Sequence, residues 1–293
     1  MELPLVVGVD GSESGLRALD WAVDEAALHG LPLRLVYASQ WERYEGKALA
    51  EGASAGGASS EQLIADGIVG SAADRAGRRN PGVEVTVQVL ADDPVSALLR
   101  EAPYATAVVL GSKGRGEFVD LLLGSVSLSV AARATHPVVV VRGDKAGLAG
   151  THDRVLLGVG DTAKGSQAVR FAFREAEARG CALDAVRAWR CPAYETADRA
   201  ERPAGPEHYY EQQASALVDE ALEPEAVDHP SVQLRRSTVE GPAHKVLVRR
   251  SAAADLLVVG ARHRHGHFGL QLGRVGHAAL HHAACPVAVV PHG

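Results

Sequence analysis

Aromatic side chains make up only 4% of the 293 residues, so the interior cannot be organised around aromatic clusters and must be built from Ala, Val and Leu. Cysteine is scarce as well. Cys181, Cys191 and Cys285 are odd in number, lie in the second half and have no disulfide-framework or metal-ligand spacing, which fits a reducing cytosol and a cytoplasmic location. Long apolar runs are missing: none approaches the ~18 residues of a membrane span, and the first, Leu5 to Val9, ends in a charged turn at Asp10. Neither a signal peptide nor a membrane partner is expected. A basic excess is missing too, because 30 Lys and Arg face 36 Asp and Glu for a net charge of -6, so no nucleic-acid partner is expected. A small anionic ligand remains open. With 46% hydrophobic and 23% charged residues, the chain is a folding sequence, and its length suits two domains of ordinary size.

What the sequence does contain is itself, twice. At an offset of 150, Val6-Val7-Gly8-Val9 meets Leu156-Leu157-Gly158-Val159, and the segment Leu16 to Ala22 meets Ser166 to Ala172. At 149, Val108 to Gly111 meets Leu257 to Gly260, and His136 to Val141 meets Cys285 to Val290. Domains over residues 1–143 and 153–293 follow, joined by a stretch whose Gly143, Gly147 and Gly150 suit a surface linker.

Within the first half, Val-rich runs at Leu5–Val9, Leu33–Ala38, Val83–Leu90, Ala107–Leu110 and Val138–Val141 read as strands. Continuous apolar runs, rather than alternation, suit a parallel sheet covered on both faces. Helical stretches fall between them at Gly15–His29, Ser60–Arg79, Val95–Ala102 and Ser125–Ala134. The alternation predicts two tandem α/β domains, each a doubly wound five-stranded parallel sheet with helices on both faces. Ser12 or Ser14 can cap the first helix, and Asp93 before Pro94 can cap the third. The stretches Glu42–Ser60 and Pro192–Pro206 lack periodicity and read as loops.

In an open parallel sheet, ligands lie beyond the carboxyl ends of the strands, where the strand order reverses. Two segments sit there. Asp10-Gly11-Ser12 follows the first strand, and Gly111-Ser112-Lys113-Gly114-Arg115-Gly116 follows the fourth and leads to Gly124-Ser125 at a helix start. Glycine allows close backbone approach, and a helix start adds unpaired N–H groups and its dipole, so the second segment suits a phosphate. Its plainer reading is a glycine-rich connection.

The spacing Gly111, two residues, Gly114, nine residues, Gly124-Ser125 resembles the ATP-binding signature of universal stress proteins. Together with Val7-Gly8-Val9-Asp10-Gly11-Ser12, the duplication and strands that follow His136-Pro137, the resemblance covers essentially the whole chain. It implies a nucleotide sensor or regulator of stress or dormancy that binds ATP at the first and fourth strand ends, with magnesium admitted. It also implies a homodimer with a regulatory protein partner. In that reading Gly8, Val9 and Asp10 lie near the adenosine and Ala38 borders the adenine. Gly111, Ser112, Gly114, Gly116, Gly124, Ser125 and Val126 bind ribose and phosphates, and Lys113 and Arg115 add charge unless they form a solvated loop face.

The second copy departs from this pattern. Gly160 stands for Asp10, His263 for Gly114 and Arg274 for Ser125, although Gly158, Gly260, Gly273 and Val275 are kept and Asp161 is one position away. Arg262 and Arg274 make its loop more cationic, so it either holds phosphate by charge or has lost binding.

Other chemistries fit less well. Gly158-Val159-Gly160 imitates a dinucleotide fingerprint, but no acid closes the next strand near Trp189. Gly46-Lys47-Ala48 is no Walker motif. Seven histidines fall between His263 and His292, and His277 with His281 has zinc-ligand spacing, yet no glutamate accompanies them as a base and no metal is expected. With no base to activate water, the sequence favours binding over catalysis, and slow ATP hydrolysis is the alternative.

Overall fold

The computed structural model describes residues 3–39, 60–113, 123–161, 167–191, 206–261 and 272–291. The chain divides into two compact units, Met1–Val141 and Arg142–Gly293. In the first, β1 (Leu5–Gly8), α1 (Glu13–His29), β2 (Leu33–Ala38), α2 (Ser60–Arg79) and β3 (Val85–Leu90) are followed by α3 (Pro94–Glu101), β4 (Ala107–Gly111), α4 (Ser125–Arg133) and β5 (Val138–Val141). All pairings are parallel, in the order β3-β2-β1-β4-β5. The chain moves outward from β1 to β3, then crosses back to β4 and β5. Because parallel crossovers are right-handed, this reversal sends α1 and α2 to one face and α3 and α4 to the other. The contacts agree: α1 packs with α2, and α3 with α4.

The second unit begins with α5 (Lys145–Ala149) and repeats the plan: β6 (Arg154–Gly158), α6 (Gln167–Arg179), β7 (Ala182–Trp189), α7 (Pro206–Asp228), β8 (Gln233–Glu240), α8 (Ala243–Arg250), β9 (Leu256–Ala261), α9 (Arg274–His282) and β10 (Val287–Pro291). Its strands are parallel in the order β8-β7-β6-β9-β10. The central strands are sealed on both faces; Val6, Val7, Val108, Val109, Leu156, Leu157 and Val258 are all buried. Continuous apolar runs are therefore what this sheet requires.

Local chemistry sets the element ends. Ser12, not Ser14, caps α1, its hydroxyl accepting from Gly15 N at 3.0 Å. Gly30 closes α1 in the left-handed region at φ 66°. Asp93 caps α3 by accepting from Ser96 N at 3.0 Å, with Pro94 in the first turn. The third strand begins two residues later than its apolar run, because Asn80 turns the chain first: its side chain accepts from Gly82 N at 2.9 Å and its carbonyl from Val83 N at 3.3 Å. Most of the predicted Glu42–Ser60 loop, and Pro192 to Gly205 of the other, lie outside the described residues.

The join is more ordered than a surface linker. Asp144 caps α5 by accepting from Gly147 N at 2.9 Å, and Asp144 N donates to Ala284 O at 3.1 Å. Just before it, the Arg142 guanidinium donates to the Leu280 carbonyl at the end of α9. Residues 142–147 thus wrap the turn between α9 and β10.

Two ion pairs that tie elements together recur in both units with their signs exchanged. Arg34 on β2 meets Glu101 on α3 at 2.9 Å, and the equivalent positions hold Asp184 on β7 and Arg250 on α8 at 3.1 Å. Asp20 on α1 meets Arg75 on α2 at 2.6 Å, where α6 and α7 instead join Arg170 to Glu225 at 3.3 Å.

Candidate functional site

The site is built where β1 and β4 end side by side. Val9 continues the strand pairing, its N–H donating to Val36 O at 2.9 Å, and Gly11 at φ 75° turns the chain into α1. Asp10 holds that turn. Its Oδ1 accepts from Ser12 N at 2.9 Å and from Ser12 Oγ at 2.6 Å. Gly15 makes room for the carboxylate, since a Cβ there would lie 2.7 Å from Asp10 Oδ1.

Gly111 closes β4, paired with Val141, and is buried. A Cβ on it would lie 2.7 Å from the carbonyl carbon, carbonyl oxygen and Oγ of Ser14, so glycine here allows α1 to approach the strand. Three hydrogen bonds then fix the ends of the loop. Lys113 N donates to Ser14 Oγ at 3.0 Å, Ser127 Oγ donates to Gly111 O at 2.6 Å, and Gly124 N donates to Ser112 O at 2.8 Å. The exposed Lys113 marks where the chain leaves the sheet.

At the far end of the loop, Gly124 is the N-cap of α4, with extended backbone and no side-chain cap. The first bond within the helix runs from Leu128 N to Gly124 O at 3.0 Å, so the N–H groups of Ser125, Val126 and Ser127 have no partner in the helix. These donors, the helix dipole and the exposed Ser125 hydroxyl can receive an anion. Gly8, Val9, Asp10, Gly111, Ser112, Lys113, Gly124, Ser125 and Val126 come together at this end of the sheet, and Ala38 ends the neighbouring β2. Gly114, Arg115 and Gly116 lie outside the described residues. Sequence reading missed Ser14 and Ser127. Ser14 was visible only as a rival cap, and Ser127 only as one more small residue on the inner side of α4.

The second unit keeps the uncapped helix start but differs at the strand ends. Asp161 does not take over from Asp10: it is exposed and paired with Arg187 on β7 at 2.6 Å, whose guanidinium also reaches Val159 O at 3.4 Å. Gly260 is exposed where Gly111 is buried. Gly273 caps α9 without a side-chain bond, followed by exposed Arg274 and half-buried Val275, while Gly158 packs beneath Leu247. Arg262 lies outside the described residues.

Comparison with known proteins shows the kinship. The model of the universal stress protein family matches residues 3–142 and again 151–291. The chain belongs to this family. A universal stress protein of Mycobacterium tuberculosis is 33% identical over 304 residues, covering 97% of this chain and 96% of its own. One from Mycolicibacterium smegmatis is 30% identical over 300 residues, covering 99% and 97%. The crystal structure of a universal stress protein from Archaeoglobus fulgidus shares the fold at a TM-score of 0.68 and 18% identity, covering 99% of this chain and 98% of that one. In this universal stress protein no helix among the described residues is long and apolar enough to cross a membrane.

His277 and His281 are stacked face to face, their ring centroids 4.3 Å apart. Among the described residues no third His, Cys or carboxylate joins them in a ligand cluster. Both His281 ring nitrogens are buried without a hydrogen-bond partner. Burial first, then His277, His282 and Arg142, hold its pKa below the ordinary value. The folded state therefore prefers neutral His281, whereas the unfolded chain takes up the proton near pH 6.5. Stability of the second unit is expected to be full above that pH and to fall as the pH drops below it. Denaturant midpoints from pH 7.5 to 5 in His281→Phe and in the parent check this; the variant is expected to lose part of the slope.

Proposed function

We propose that this universal stress protein binds ATP in its first unit, as a nucleotide sensor and not as a rapid catalyst. The observation that supports this most directly is the uncapped start of α4, tied at Gly124 to Ser112 at the end of β4, the strand paired with β1. Phosphates meet the N–H groups of Ser125 and Val126, with the charge of Lys113 at hand and magnesium as a companion ion. The adenosine lies toward Gly8, Val9, Asp10 and Ala38. Asp10 serves the turn into α1 in this reading, its Oδ1 accepting from Ser12 N and Oγ. The second unit is the weaker site, because Arg187 and Asp161 engage one another there. A cytoplasmic homodimer that passes its nucleotide state to a regulatory protein completes the proposal, and the free thiols Cys181 and Cys285 suit a reducing compartment.

Calorimetry of the nucleotide-free full chain with ATP tests the reading. One tight site per chain is expected, any second site being at least about tenfold weaker, which is about 1.4 kcal/mol. At ~100 times Kd, ATP is expected to stabilise the binding unit by about 2.7 kcal/mol. Gly124→Val should remove the tight site and Gly273→Val should spare it. An absence of heat at millimolar ATP, or two equal sites, contradicts the proposal.

A further inference from the structure

We infer that Ser14 and Ser127 are positioning residues for the phosphates of the first unit, an inference that rests on the nucleotide reading above. Both hydroxyls are buried, with the residues 5% and 6% exposed, and a buried hydroxyl needs a partner. Ser14 lies in the first turn of α1, where Ser12 already supplies the cap. Its Oγ is therefore free to leave its own helix and accept from Lys113 N at 3.0 Å. Ser127 reaches the same strand end from α4, donating to Gly111 O at 2.6 Å. The two bonds hold residues only two apart, so the main chain is gripped from both helices as it leaves β4. Gly111 permits this grip by letting Ser14 approach.

Neither hydroxyl touches the site that the phosphates would occupy at Ser125 and Val126. They act on the direction in which the loop departs and on the seating of α4 against β4. A phosphate cradle gains from donors already aimed, because order imposed before binding is not lost on binding. The adenosine, placed toward β1 and β2, does not depend on this alignment. The second copy carries Lys164 where Ser14 stands and Gly276 where Ser127 stands, so it has neither hydroxyl. The differences between the copies thus extend beyond the glycine signature to the two groups that hold it.

The test uses full-length Ser14→Ala and Ser127→Ala, with ATP titrated directly and adenosine measured as a competitor of ATP. Each variant is expected to weaken ATP about five- to tenfold, the worth of one net hydrogen bond, while adenosine stays within about twofold of the parent. Amide exchange at Lys113 in ligand-free Ser14→Ala is expected to accelerate, because its acceptor is gone. ATP and adenosine weakened alike, or neither changed, would overturn the positioning role while leaving the nucleotide site standing. A parent protein that binds neither ligand overturns the nucleotide reading itself and this inference with it. If Ser14→Ala does not fold, Ser127→Ala carries the same comparison.

Discussion

Gly111→Ala is expected to destabilise the first unit by about 1–3 kcal/mol and to weaken ATP by more than tenfold. The new methyl would lie 2.7 Å from the carbonyl carbon and oxygen of Ser14, which belong to a helix backbone and cannot rotate aside. Either α1 moves away from β4 or the end of the strand bends, and both break the Lys113–Ser14 bond. Denaturant unfolding followed by ATP calorimetry separates the two effects. Gly273→Ala is the contrast: nothing lies within 4 Å of its added methyl, so it is expected to change stability by under about 0.5 kcal/mol. A Gly111→Ala protein with parental stability and affinity would show that α1 and β4 are not in tight contact.

The second large effect is expected at Gly143, where alanine should cost the second unit about 4 kcal/mol. Two penalties coincide there. The backbone sits at φ 112°, costing a side chain about 1–3 kcal/mol, and a methyl would collide with Ala284 O and Cys285 Cα, adding about 1–3 kcal/mol. Gly150 separates the contributions: at φ 63° with nothing within 4 Å, its replacement by alanine carries only the conformational cost of about 1 kcal/mol. Urea midpoints for the two variants check the ranking, and equal midpoints would mean that residues 142–147 do not wrap the α9–β10 turn.

That wrapping was not legible in the sequence. Gly143, Gly147 and Gly150 look alike as letters, but Gly143 and Gly147 are small because Ala284 is close, whereas Gly150 ends a helix in open space. Periodicity carried the rest of the fold well: β2 and β5 occupy their apolar runs residue for residue, as does α2 its helical stretch. Local chemistry fixed α3 through Asp93-Pro94, but the use of the Ser14 hydroxyl was hidden, because its partner Lys113 lies far away in the chain. The same holds for Asp161. Its nearness to the Asp10 position was visible in the sequence, but only the fold brings Arg187 from β7 to engage it. Spacing thus located the candidate site, while the contacts that shape it join residues no local pattern connects.

The exchanged ion pairs bear on how a duplicated chain avoids confusing its halves. Tandem repeats are prone to swapped assembly, in which α3 and α8 would exchange their places on β2 and β7. A swap would set Arg34 against Arg250, and Asp184 against Glu101, like charges in half-buried positions. Exchanging α2 and α7 would likewise oppose Asp20 to Glu225 and Arg170 to Arg75. Each helix therefore carries a charge that its own sheet or neighbouring helix accepts and its counterpart repels, a parity check written into the duplicated sequence.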